Sequence, residues 1–213
     1  YPRELENDIL KLKKYSVDYL FLPTESEIYQ KKISKKINKS NNDKILCAKY
    51  RKGHFEGVLA VVNRLLQNIN SKYVFFGEKD FQQLQVIRTM VEDLSMPINI
   101  VGVPTRRQED GLAMSSRNGY LSAEQRTTAT QIYAAMEQMR AAICARQDSY
   151  ADIERKASQS LMAAGLKPEY VTIRNARNLQ PAEPGDYQLV ILMAAFMGTT
   201  RLIDNMQITL DQA

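Results

Sequence analysis

"FFGEKDFQQLQ", residues 75–85, runs from an apolar segment through Gly, Glu, Lys and Asp into a row of amides. The segment "KYVFFGEK" is short, aromatic and β-rich, which predicts a buried strand. "DFQQLQVIRTMVEDL" then places Leu84, Ile87, Val91 and Leu94 at helical spacing, so a helix begins where the strand stops. In open α/β sheets ligands bind outside the carboxyl ends of the strands, where backbone amides and the next helix N-terminus face outward. Gly77, Glu78, Lys79 and Asp80 sit at such an end. Gly77 lets the backbone approach a ligand, Lys79 can neutralise a phosphate as a point charge, and Asp80 can accept hydrogen bonds from ribose hydroxyls. Whichever of Gln82, Gln83 and Gln85 faces the strand end suits a polar substrate. Without a ligand, the same residues read as a polar strand-to-helix turn with Asp80 as N-cap.

Outward from this turn, the first half alternates helices with short apolar runs. Leu5, Ile9 and Leu12 recur at helical spacing in "PRELENDILKLKK", with Pro2 tolerated in a first turn. "VDYLFLP" (17–23) reads as a parallel-type strand, and "GHFEGVLAVVNRLLQNI" puts Val58, Val61, Val62, Leu65 and Leu66 on one helical face. "INIVGVP" reads as another strand, and the whole pattern predicts a parallel α/β sheet.

From Pro104 the pattern changes. A polar, glycine-containing loop, "TRRQEDGLAMSSRNGYL" (105–121), leads to a long helix opened by a capping box at Ser122 and Gln125. Its buried stripe is Ile132, Met136, Met139 and Ile143. A second helix from about Ser149 to Gly165 precedes three β-like segments, "EYVTIR", "YQLVILMAAF" and "TRLIDNMQI". The expected division is residues 1–105, a ligand-binding α/β domain, and 106–213, an α+β domain of two helices on an antiparallel sheet.

Composition narrows the class. Hydrophobic residues make up 44% and charged residues 25% of 213, ordinary for a globular chain that can bury a core. The longest apolar run, "LVILMAAFM", is far short of the roughly 18 residues that span a membrane. Cys47 and Cys144 form no CxxC pair and are expected to be two buried free thiols, which favours the cytoplasm. The net charge of +5 suits an anionic partner. Six lysines between Lys31 and Lys44 concentrate it, but with no aromatic among them for base stacking they read as a solvated strand or loop rather than a nucleic-acid surface.

Two further segments carry chemistry. In "GLAMSSRNGYL", Ser115, Ser116 and Arg117 combine hydroxyl donors with a planar guanidinium that fits phosphate oxygens, and could close over a triphosphate. "YRKGHFEG" (50–57) holds the sole histidine, His54, with Arg51 three residues before it at a helix start. A lone histidine is usually structural, but one beside an arginine at an anion-friendly helix end is also a binding candidate.

Taken together, "RKGHFEGV", "FFGEKDFQQLQVIRTMVEDL", "IVGVPTRRQEDGLAMSSRNGYLS" and "TRLIDN" resemble the pantothenate synthetase (pantoate–β-alanine ligase) family along nearly the whole chain. The resemblance implies a Rossmann-like nucleotidyltransferase domain and a smaller C-terminal domain, in a cytoplasmic homodimer of coenzyme A biosynthesis. It implies that ATP, with Mg²⁺, and pantoate form a pantoyl adenylate that β-alanine then attacks. By the same resemblance Gly77, Glu78, Lys79 and Asp80 form an ATP segment, Met114, Ser115, Ser116 and Arg117 grip phosphates, and Gln83, His54 and Arg51 serve the pantoate side. Arg106 falls where the family has a small apolar residue beside the adenine, and the Mg²⁺ ligands are left open.

One departure bears on the fold. The family's first strands and its HxGH motif have no counterpart here, since His54 is the only histidine. The expectation is therefore that these segments are part of a longer fold whose missing strands would separate 17–23 from 73–77, leaving unpaired edges and little adenylation by this stretch alone. Two alternatives stay open: a related nucleotidyltransferase acting on another small carboxylate, and a non-catalytic or dimerisation module derived from the same fold.

Overall fold

A computed structural model describes residues 5–29, 45–146 and 148–211. Pro2 and the lysine-rich run 31–44 lie outside the described residues.

Helix α1 (Leu5–Lys14) forms where the spacing places it, but none of its residues is buried. After it, the run 17–23 is not a strand. A strand exists by pairing its backbone, and among the described residues no neighbour offers this run a ladder; Val17, Tyr19, Leu20, Phe21 and Leu22 are all exposed. Two short helices, α2 (Glu25–Tyr29) and α3 (Cys47–Tyr50), precede α4 (His54–Ile69). The expected stripe of α4 packs on the core through Val58, Val62 and Leu66, joined by Leu59.

Strands β1 (Tyr73–Gly77) and β2 (Asn99–Val103) pair in parallel, with Phe75 opposite Val101. Helix α5 (Phe81–Asp93) connects them and buries Leu84, Ile87, Met90 and Val91. β1 is only half buried. Val74 and Phe76 meet the cluster under α4 and α5, whereas Tyr73 and Phe75 alternate onto an exposed face, because a single helical layer covers one side of a pleated sheet.

The second half has its own core. α7 (Gln131–Ala145) and α8 (Tyr150–Ala163) lie on an antiparallel sheet ordered β3 (Lys167–Asn175), β4 (Gln188–Met197), β5 (Thr200–Thr209). Ile132, Met136, Met139, Ile143, Ile153 and Leu161 meet Ile173, Leu189, Ile191 and Met193 in one cluster. The expected single long helix is two: α6 (Ala123–Ala129), with both bonds of the Ser122–Gln125 capping box present, stops at Thr130. Thr130 Oγ1 donates to the Thr127 carbonyl at 2.7 Å, a local bond that competes with the helical ladder. Cys47 is buried as expected, but Cys144 is exposed, being one step round α7 from the buried Ile143.

The β4–β5 hairpin turns tightly, Met197 pairing with Thr200 across Gly198, whose φ of 57° a residue with a Cβ rarely adopts. That turn fixes the register of β5, and β5 reaches the first half. The Asn205 amide is buried and donates to the carbonyls of Glu78 and Lys79 at 2.8 and 2.9 Å. Asn205→Asp would aim acceptors at two carbonyl oxygens. It should cost about 1–3 kcal/mol of stability, measured by denaturant unfolding, and should speed amide exchange in residues 79–81; unchanged exchange there would show that the turn holds itself.

Candidate active site

The 78–80 segment is a single 3₁₀ turn between β1 and α5. Asp80 occupies the N-cap position, yet its carboxylate makes no capping bond. It is exposed and carries no hydrogen bond among the described residues. The Lys79 ammonium likewise has no hydrogen-bond partner among the described residues. Burial, above all, pushes its pKa below the ordinary lysine value, with Arg117 adding to the effect and Asp80 and Asp204 opposing it. An ammonium desolvated without a partner is a cation waiting for an anion.

Lys79 and Arg117 both line a chamber of about 180 Å³, together with Arg51, Ser115, Ser116 and Arg201. That volume is below the roughly 300–1,000 Å³ of a pocket that encloses a whole drug-sized ligand, so the chamber suits a phosphate tail rather than an entire nucleotide. A smaller compartment adjoins it, sharing Arg51, Lys79 and Asp80 and adding His54, Gln83, Cys47 and Tyr170.

The three glutamines are sorted by their bonds. Gln82 is buried and clasps the chain before α3, accepting from Cys47 N at 3.0 Å and donating to the Ile45 carbonyl at 2.8 Å. Gln85 donates to the Ala176 carbonyl. Gln83 alone of the three lines the compartment without such a clasp.

Arg51 and His54 are bonded directly, Arg51 Nη1 lying 2.9 Å from His54 Nε2. A guanidinium only donates, so Nε2 accepts and the imidazole is neutral. Burial chiefly, and then the Arg51 charge, push the His54 pKa below its ordinary value.

The serine–arginine turn is shaped locally. Ser115 Oγ accepts from Arg117 N at 3.2 Å, and Asn118 Nδ2 donates to the Ala113 carbonyl at 3.0 Å. Arg117 Nη1 reaches across to the carbonyl of Arg201 on β5 at 3.2 Å. The loop before the turn is anchored by Arg107, which forms a bidentate pair with buried Asp204 at 2.6 and 3.0 Å and stacks over the Tyr133 ring at 4.5 Å. Removing one member of so buried a pair typically costs about 3–5 kcal/mol.

Eight of the expected residues thus surround two joined cavities: Arg51, His54, Lys79, Asp80, Gln83, Ser115, Ser116 and Arg117. Four lie outside the lining. Gly77 ends β1 with open space where a Cβ would be. Glu78 lies over Gly102 and accepts from Gln207 Nε2 at 3.2 Å. The Arg106 carbonyl accepts from Met114 N, and the Met114 side chain is exposed. Sequence reasoning missed Arg107, Arg201, Asp204 and Asn205. For Arg201, Asp204 and Asn205 the signal was a polar set inside the apolar strand segment "TRLIDNMQI", where a buried Asp demands a partner.

Comparison with known proteins bears on the chain as a whole. The family model described as pantoate-beta-alanine ligase matches residues 1–207. Pantothenate synthetase of Pseudomonas putida (strain W619) is 47% identical over 100% of this chain, which covers 75% of that protein. The enzyme of Idiomarina loihiensis is 45% identical over 98% of this chain and 75% of its own length. Among solved structures, pantothenate synthetase from Thermus thermophilus matches with a TM-score of 0.89 at 38% identity, over 97% of this chain and 75% of that one. Pantoate-beta-alanine ligase from Francisella tularensis, complexed with beta-gamma ATP and beta-alanine, matches with a TM-score of 0.75 at 33% identity, over 97% and 70%.

Because the chain has a single histidine, its titration is readable without assignment. The imidazole NMR midpoint should fall below the ordinary value of about 6.5, and Arg51→Met should raise it. A folded-state value below the unfolded one means that the unfolded chain takes up the proton first, so stability should fall as pH drops from the unfolded midpoint through the folded one. A midpoint at or above the ordinary value would refute the neutral, Arg51-bonded imidazole.

Proposed function

Since this chain belongs to the pantoate–β-alanine ligase family, an ATP-dependent ligase family of pantothenate biosynthesis, we propose that the two joined cavities are where the pantoate carboxylate meets the α-phosphate of ATP. The observation that carries the proposal is the pair Lys79 and Arg117, one from each half of the chain, on the walls of one chamber.

In this reading residues 1–105 are the nucleotide-binding domain and 106–213 the domain that brings the serine–arginine turn. ATP binds with its phosphates in the chamber. Lys79 relieves its own unfavourable burial by pairing with a phosphate oxygen, and Ser115, Ser116 and Arg117 take oxygens from the other side. Gly77, with open space beside it, Glu78, Arg106 and Met114 border the remainder of the nucleotide. Asp80 accepts from the ribose, or turns its unbonded carboxylate to a metal ion. A hard oxygen ligand of this kind fits Mg²⁺, which characteristically binds one or two carboxylates together with substrate phosphates and would lend the phosphates positive charge.

Pantoate binds on the side of Gln83, His54 and Arg51, at the mouth of the smaller compartment. Gln83 offers an uncommitted amide, and the neutral His54 orients Arg51 by accepting one of its N–H groups. A carboxylate oxygen of pantoate attacks the α-phosphorus and the bond to pyrophosphate breaks, giving the acyl adenylate. The neutral amine of β-alanine then attacks the acyl carbon; AMP leaves and the amine gives up one proton. No protein nucleophile is required, so catalysis consists of orientation and charge stabilisation. The same reading places the enzyme in the cytoplasm as a homodimer.

Pantoate-dependent exchange between ATP and labelled pyrophosphate tests the proposal. Lys79→Ala and Arg117→Ala should each lower kcat/KM for ATP by about 10²–10³, and Gln83→Ala should raise KM for pantoate by about tenfold with KM for ATP unchanged. Exchange that ignores pantoate but responds to another small acid would overturn the substrate assignment.

A further inference from the structure

Arg201 has a donor with nothing to bond. Its Nε and Nη2 both donate to Glu169 Oε2, at 3.0 and 2.5 Å, and Nη2 also approaches Cys47 Sγ at 3.4 Å. Nη1 is buried and has no hydrogen-bond partner. The two side chains of the pair are only 12% and 11% exposed, so bulk solvent offers the group little compensation. A purely structural arginine in such a position spends its donors, because leaving a buried one unmade is unfavourable.

The surroundings say what the free end is for. Arg201 lines the chamber with Lys79, Ser115, Ser116 and Arg117, but not the compartment that holds Gln83. Its carbonyl accepts from Arg117 Nη1, so one residue of β5 sets the position of both guanidinium groups. Glu169 and Cys47 hold the fork at one edge. Burial acts against the Arg201 charge, yet these neighbours outweigh it and hold the group above its ordinary pKa.

We propose that Arg201 is a third phosphate-binding cation beside Lys79 and Arg117, donating from Nη1 to an oxygen of the phosphate chain, with Glu169 as the residue that positions it. The proposal rests on the reading that this chamber receives phosphates. Glu169 makes the arrangement selective: it neutralises one charge and fixes the plane of the fork, leaving one nitrogen uncommitted. The chamber then holds an anion from three directions, Lys79 from the turn after β1, Arg117 from the serine–arginine turn, and Arg201 from the sheet.

Pyrophosphate binding to the full chain, followed by titration calorimetry, tests this without requiring turnover. Arg201→Lys keeps a cation beside Glu169 but lacks the fork. It should weaken pyrophosphate binding by about ten- to a hundredfold, while pantoate affinity stays within about twofold. Should this variant not fold, the double variant Glu169→Gln/Arg201→Gln removes both charges together and should show the same loss. A folded variant of either kind that binds pyrophosphate within about twofold of the unsubstituted chain overturns the proposal, as does an equal loss of pantoate affinity. If the unsubstituted chain also shows pantoate-dependent exchange, only the role of Arg201 falls. If the unsubstituted chain binds no pyrophosphate at all, the phosphate reading of the chamber falls with it.

Discussion

Two consecutive residues of β5 hold the site together. Asp204 takes both arms of Arg107, the anchor of the loop that carries Ser115 to Arg117. Asn205 turns towards the other half and donates to the carbonyls of Glu78 and Lys79. Alternation along a strand sends neighbouring side chains to opposite faces, so one dipeptide can grip two elements that no local interaction would join. Asp204 Oδ1 also accepts from Asn205 N at 2.8 Å, which stiffens the pair itself. The distance between Lys79 and Arg117 is set from here.

With that spacing fixed, the electrostatics follow from which charges are already answered. Asp204 is committed to Arg107, and Glu169 to Arg201. Lys79 and the outer nitrogens of Arg117 are not answered in this way, and Asp80 is the uncommitted acid at the rim. The chamber is therefore a region of excess positive charge with its dipoles already oriented, the condition under which a polyanion gains most and the protein reorganises least. Burial makes the Lys79 ammonium uncomfortable in the free chain, and a phosphate removes that discomfort.

The smaller compartment is assembled differently, from segments clasped by amides and a thiol. Gln82 holds the backbone on both sides of Leu46, which places Cys47 beside Tyr170 at 3.0 Å and within reach of Arg201. Burial first, and then the neighbouring sulfur, push the Tyr170 pKa above its ordinary value, so the phenol keeps its proton and remains a donor. A side chain that looks suited to substrate in the sequence is thus a backbone clasp, and Gln83, one position later, is left with an amide to offer.

Local signals along the chain were enough to locate most elements and the chemistry on offer. Helical spacing located α5 and α7, the capping box located the start of α6, and Ser149 and Gly165 bounded α8, because periodicity and caps are local properties of a polypeptide. The basic turn at 78–80 and the Ser-Ser-Arg turn were legible in the same way, since polar residues at a strand end or in a loop betray themselves without any partner. The parallel sense of the first sheet and the antiparallel sense of the second were legible too, but whether a given run finds a partner was not. The run 17–23 had the composition of a strand and formed none, because a ladder needs a neighbour that composition cannot supply. It took the packed molecule to sort Gln83, with an amide to spare, from the clasp Gln82, and to tie the loop to the sheet through Arg107 and Asp204. Packing, too, left one nitrogen of Arg201 bare. Each of these is a statement about residues dozens of positions apart, and such contacts are fixed by how faces meet, not by what any single stretch prefers.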